Sequence, residues 1–296
     1  MLLRTPAFEN YILPARDHPQ IWRLILGVLL LLLVYAAFIA AMGGAIFAIG
    51  GMDGLDAAFL RMSRLSQPAD VILVLTTFVG LPLGAVAAAR LLHRRRAASL
   101  FGPGGRALTD FLRCTGVTTA VYAPILVLWF IFNDAQPGLP PSTWLLFLPA
   151  TLLGLLVQTG AEEPVFRGYL QQQFAARFAS PIFWMILPSI GFGMLHFDPA
   201  TMGANAWLIV AATGIFGLLA ADLTAQSGSI GAAWGLHFAN NFFALAIIAV
   251  DDTITGLALY RTPYGAADPE ISTIALASDA ASLLLAWALC RRVVRR

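Results

Sequence analysis

The chain has 296 residues, 59% hydrophobic and 11% charged, with a net charge of +2 and a mean hydropathy of +0.78. A soluble domain carries about a quarter charged residues, so this composition excludes an ordinary water-soluble domain and points to a polytopic membrane protein. The 18 basic residues are all arginine, clustered in loops and at the C-terminus, which leaves no basic face for nucleic acid.

A spanning helix needs about 20 mostly apolar residues. In chain order the candidates are 22–50, 69–92, 111–132, 143–174, 181–197, 205–223, 230–250 and 271–291. The first is too long for a secretion-signal core of about 7–15 residues and reads as a retained helix. It carries small residues four apart, Ala36, Ala40, Gly44 and Ala48, spaced for a close helix–helix seam. The turn "GMDG" follows it. After the second segment comes "HRRRAASLFGPGGR", dense in positive charge, and "AQPGLPP" ends the third. The fourth segment contains "TGAEEPVFRGYL", with Glu162, Glu163 and Arg167 inside an apolar run. The turn "ASP" separates it from the fifth segment, which ends near His196. Asp222 closes the sixth at an expected membrane interface. The seventh carries a second small-residue seam, Gly231, Gly235 and Ala239, together with His237, Asn240 and Asn241. The chain ends in "CRRVVRR". The two cysteines, Cys114 and Cys290, are far apart in sequence and lie in apolar runs. They form neither a metal motif nor a disulfide framework and read as core thiols.

The fold class expected is all-α: one integral membrane domain over 1–296, with about eight transmembrane helices. The two arginine-rich segments belong on the cytoplasmic side, and an even number of spans places both termini there. The loop 251–270, with four acids and one arginine, then lies outside. His18 and His93 read as interfacial.

Burying a charge at the centre of a membrane helix costs on the order of 3 kcal/mol on insertion scales, so the interior polar residues are functional candidates. The midpoint between Glu162 and His196 falls at residue 179, in "FASPI". An antiparallel hairpin turning there returns His196 to the depth of Glu162. Pro164 is positioned to kink the first arm. His237 and Asn241 are one turn apart on one face of the seventh helix. Glu163 and Arg167, at i and i+4, are spaced for an intrahelical ion pair. Asn240 suits a helix–helix hydrogen bond. These groups are expected to converge on a cavity open to the cytosol.

Three short motifs carry a resemblance. "EEPVFRG" resembles the EExxxR motif of the CAAX prenyl protease and bacteriocin-processing (CPBP, or Abi) family of intramembrane endopeptidases. "FGMLH", Phe192 to His196, resembles its FxxxH motif, and "HFANN", His237 to Asn241, its HxxxN motif. The order and approximate spacing also match, and the motif-bearing core covers about 140–250. The resemblance implies a multi-pass protease of the bacterial inner membrane, whose partners are the bilayer and a peptide or protein substrate within it. It implies catalytic roles for Glu162, Glu163, Arg167, His196, His237 and Asn241, with no cofactor. Glu162 would be the general base, His196 would hold the water, His237 and Asn241 would stabilise the oxyanion, and Glu163 with Arg167 would brace the helix. Two alternatives stay open. Glu162, His196 and His237 could hold zinc, although the HExxH helix is absent. The site could instead serve a non-catalytic scaffold or bacteriocin-immunity protein. A transporter, the remaining class for intramembrane acids, is disfavoured by the lack of an internal repeat.

Overall fold

The computed structural model describes residues 4–295, and the side chains of all of these except 269–276. The protein is an all-α polytopic membrane protein with a small sheet at one end. Its helices are α1 (Pro6–Ile12), α2 (Ile21–Arg64), α3 (Pro68–Thr77), α4 (Gly80–Leu91), α5 (Gly104–Phe132) and α6 (Pro141–Glu163). They continue with α7 (Gln172–Arg177), α8 (Leu187–Met194), α9 (Pro199–Met202), α10 (Ala206–Ser227), α11 (Gly231–Phe242) and α12 (Pro269–Val294). Among the described residues, five helical stretches are long and apolar enough to cross a membrane: Ile21–Arg64, Pro68–Leu91, Ala97–Phe132, Pro141–Arg177 and Pro199–Ser227. The eight apolar segments expected from the sequence are helical over most of their length, and the seventh runs at its end into strand at Ile248–Asp251.

The turn expected at "GMDG" is a kink inside α2 instead. Gly51 sits at φ 62°, a left-handed conformation that a residue without Cβ adopts freely, and the helix resumes as far as Arg64. The seam expected along α2 is also displaced. Ala36, Ala40, Gly44 and Ala48 are exposed, and the close packing comes from the partner helix α4. A Cβ on Gly84 would meet the Leu31 carbonyl at 2.7 Å, and one on Gly80 would press on Tyr35 and Phe38. The small residues that matter there are four apart on α4, while α2 supplies the large ones.

The second seam holds. A Cβ at Gly231 would lie 2.0 Å from the Ala107 carbonyl, and one at Gly235 would lie 2.3 Å from the Phe111 carbonyl. The backbones of α5 and α11 therefore touch, which fixes the depth of His237. Gly231→Ala is expected to force these helices apart and to cost at least about 1–3 kcal/mol, the usual range for overpacking. Thermal unfolding of the purified variant in detergent checks this, and an unshifted midpoint would show that the contact yields.

Two ends of the molecule differ sharply. At one end α1, the 92–104 loop, α7, the start of α11 and the end of α12 meet. The Thr5 hydroxyl donates to the Ala225 carbonyl at 2.5 Å, and Arg295 Nε donates to Gln226 Oε1 at 3.3 Å, so the described termini share this end. It is closed. Phe8 is fully buried, and the Tyr11 hydroxyl reaches the carbonyls of Leu100 and Arg167. Gln171, Gln172 and Gln173 are buried rather than lining an open mouth. The "HRRR" loop is not simply solvated either. His93 is buried between the His18 carbonyl and the Tyr169 hydroxyl, 2.9 Å from each. Arg95 packs against Gln172, and its desolvation lowers the guanidinium pKa to about 10.

At the opposite end three strands, β1 (Gln136–Pro137), β2 (Ile248–Asp251) and β3 (Tyr260–Gly265), form a sheet in the order β1-β3-β2. β1–β3 is antiparallel and β2–β3 parallel. A cavity of about 450 Å³ opens here, between α5, α10, α11, α12 and the sheet. This cavity lies at the end away from the arginine-rich loop, and Glu162, His196 and His237 are not on its wall.

Asp222, near the end of α10, is enclosed by the protein. It is buried and accepts from Arg291 Nε at 2.7 Å, Arg291 Nη2 at 3.2 Å and Trp287 Nε1 at 3.0 Å, which pins α12 to α10. The two cysteines, distant in sequence, are neighbours. Cys290 Sγ lies 3.7 Å from the Cys114 carbonyl, and both residues are fully buried as reduced thiols.

Candidate active site

The hairpin expected between Glu162 and His196 forms. The helix containing α6 and α7 runs from Pro141 to Arg177, the chain turns over 178–181, and a second arm runs from Ile182 to Met194. Pro164 does more than kink the first arm. It lacks an N–H, and its ring crowds the preceding turn, so the register widens into a π-helical stretch over Pro164–Gln171. A second π stretch, Ile182–Ile186, leads into α8, and a third, Phe243–Ile247, follows α11. Each of the three motifs therefore lies beside or within widened helix, where side chains can be re-aimed.

The centre of the site is His237. Its Nδ1 lies 2.8 Å from Glu163 Oε1, and its Nε2 lies 3.6 Å from Glu162 Oε2. A carboxylate only accepts, so Nδ1 is assigned as the N–H that donates to Glu163. Nε2 is then left facing Glu162 across a gap too long for a direct hydrogen bond. Glu162 Oε2 accepts no hydrogen bond among the described residues. Glu163 is fully buried and also accepts from Arg167 Nη1 at 3.1 Å. Arg167 Nη2 donates to the Gly217 carbonyl on α10 at 3.2 Å. Glu163 is thus shared by an arginine and a histidine rather than only bracing its own helix.

From Glu162 a second chain of hydrogen bonds runs the other way. Gln158 Nε2 donates to Glu162 Oε1 at 3.0 Å, and Asn241 Nδ2 donates to Gln158 Oε1 at 2.9 Å. Asn240 Nδ2 donates to Asn241 Oδ1 at 3.1 Å, and the Tyr122 hydroxyl of α5 donates to Asn240 Oδ1 at 2.9 Å. The helix–helix hydrogen bond expected of Asn240 is this last one. Gln158 and Tyr122 were not among the residues singled out from the sequence. Gln158 could have been found one turn before Glu162 on the same face. Nothing in the sequence around Tyr122 marks it.

His196 is half-buried just beyond α8. Its Nδ1 lies 3.0 Å from the Phe192 carbonyl, so the ring N–H donates to its own helix. It makes no ion pair with either carboxylate among the described residues, whereas His237 Nε2 stands 3.6 Å from Glu162 Oε2. Phe192 is the wedge between the two histidines, with ring centroids 5.0 Å from His196 and 6.0 Å from His237. The Arg167 guanidinium stands 5.0 Å over the same ring. Among the described residues no three of His, Cys, Asp and Glu are grouped so as to hold a metal ion.

Residues 140–243, which span all three motifs, match the family model described as type II CAAX prenyl endopeptidase Rce1-like. The chain is also similar to the uncharacterized protein YyaK of Bacillus subtilis (strain 168), 33% identical over 116 residues. That match covers 39% of this chain and 38% of the relative's length. No solved structure matches the chain. The matched segment holds α6 to α11; Tyr122 of α5 adds to its hydrogen-bond chain from outside it.

Proposed function

We propose that the chain is an intramembrane endopeptidase of the cell membrane that hydrolyses peptide bonds of membrane-associated peptides or proteins with a glutamate-activated water. The observation that carries this reading is the gap between Glu162 Oε2 and His237 Nε2, 3.6 Å wide between two buried side chains. A water placed against both atoms donates one hydrogen to each, which leaves its lone pair for a substrate carbonyl. Glu162 Oε2 takes the proton and later passes it to the leaving amine. Glu163 holds His237 in the tautomer that keeps the Nε2 lone pair toward the water, and Arg167 balances the Glu163 charge. Asn241 Nδ2 spends one hydrogen on Gln158 and has a second for the developing oxyanion. His196, with Nδ1 fixed on Phe192, has Nε2 available to substrate. In this reading His237 takes the water-holding place that the sequence reading gave to His196, supported by the 3.6 Å between its Nε2 and Glu162 Oε2.

The zinc alternative keeps Glu162 and His237 as donors and requires His196 to move toward them. The three-residue geometry at hand favours the glutamate reading. The test is a comparison of membrane-peptide termini in cells carrying wild type or Glu162→Ala. New termini present only with wild type are expected, and identical sets of termini would contradict an endopeptidase.

A further inference from the structure

The cavity of about 450 Å³ at the acidic end is not lined by Glu162 or His237. Its size is that of a ligand site rather than a packing defect. Most of its wall is apolar, including Trp129, Phe243, Leu245 and Ile254. The polar groups on it are nearly all spent within the protein. Tyr122 is bound to Asn240, Asn240 to Asn241, and the Thr262 hydroxyl to the Tyr264 carbonyl. Asn205 is bound to the carbonyls of Ala266 and Asp268. The exception is Asp279 of α12. It is the charged residue on the wall, it is exposed to the cavity, and no hydrogen bond or ion pair joins it to the described residues. A carboxylate facing an apolar hollow calls for a cation on the occupant.

The second observation is the sheet. β2 pairs with β3 on one side and is an edge strand on the other, and its Ile248 and Val250 line the cavity. An edge strand beside an apolar hollow is a template for one more extended chain. Non-helical backbone at membrane depth is tolerated where it lines such a hollow. The hydrogen-bond chain from Tyr122 and Asn240 through Asn241 and Gln158 joins this wall to Glu162.

We infer that this cavity is the substrate seat and takes an extended, apolar peptide segment of about four residues beside β2 (the length of that strand), with one basic side chain paired to Asp279. This deepens the proposed peptidase reading and rests on it.

The test uses the full chain with Glu162→Gln, so that nothing is turned over, in phosphatidylcholine nanodiscs. The probe is a fluorescent apolar peptide with one central lysine, compared with the same peptide carrying norleucine. Anisotropy is expected to give at least tenfold tighter binding of the lysine peptide, and Asp279→Asn is expected to remove the difference. N-methylation of alternate peptide amides should weaken binding about tenfold more than methylation of the amides between. Equal binding of lysine and norleucine peptides to protein with Asp279 intact overturns the inference, and that comparison requires no folded variant at 279. Displacement of the peptide by phosphatidylethanolamine as readily as by unlabelled peptide also overturns it, by assigning the cavity to lipid. Cleavage is read separately on wild type. Charge-dependent binding without cleavage contradicts the proposed peptidase and supports the cavity's ligand class. Cleavage without charge-dependent binding contradicts the cavity assignment alone.

Discussion

Arg167→Met is expected to destabilise the protein by about 3–5 kcal/mol, the usual penalty for breaking a buried ion pair from one side. Glu163 is fully buried and Arg167 is 2% exposed, so neither can exchange its partner for bulk water. Removing the guanidinium strands a carboxylate whose remaining contact is His237 Nδ1. It also removes a hydrogen bond to the Gly217 carbonyl and the cation from the face of Phe192. The loss therefore spreads over α6, α8, α10 and α11. In a Glu163→Gln background the same change should cost markedly less, because no charge is left behind. Reversible unfolding of the single and double variants in mixed micelles measures both numbers. Equal costs in the two backgrounds would mean that Arg167 acts by packing and not by charge.

Glu162→Gln is expected to leave stability nearly unchanged and to reduce peptide hydrolysis by about 10²–10⁴-fold, the usual contribution of a general base. The amide is isosteric, and at Oε1 it can still accept the Gln158 hydrogen bond that holds the side chain. What it loses is the proton acceptor at Oε2, the atom that faces His237 Nε2. A continuous assay with a quenched apolar peptide measures the ratio. Wild-type activity in this variant would remove Glu162 from the chemistry, whatever its place in the hydrogen-bond chain.

The two motif glutamates and His237 were legible because a charge in an apolar run has few structural excuses, and because the hairpin about 178–181 could be counted from residue numbers. Depth could be counted in this way, but direction around the helix could not. Which imidazole meets Glu162 depends on the π stretch over Pro164–Gln171 and on the wedge of Phe192, and neither follows from spacing. The same limit explains Asp222 and Cys290. Both read as isolated in sequence, and both gain partners only when α12 packs against α10 and α5. The seam on α2 was misplaced because small residues at a regular interval mark a helix that could be approached, while the helix approached is decided by where the large residues of the neighbour fall, here Leu31, Tyr35 and Phe38 against Gly80 and Gly84.

The most direct test of the central claim is hydrolysis in ¹⁸O-labelled water by purified protein shown to be metal-free and kept in excess chelator. The account predicts continued cleavage of an apolar peptide, with one ¹⁸O in the new carboxylate and none formed by Glu162→Gln. Loss of cleavage on removing metal, restored by adding zinc, would contradict it.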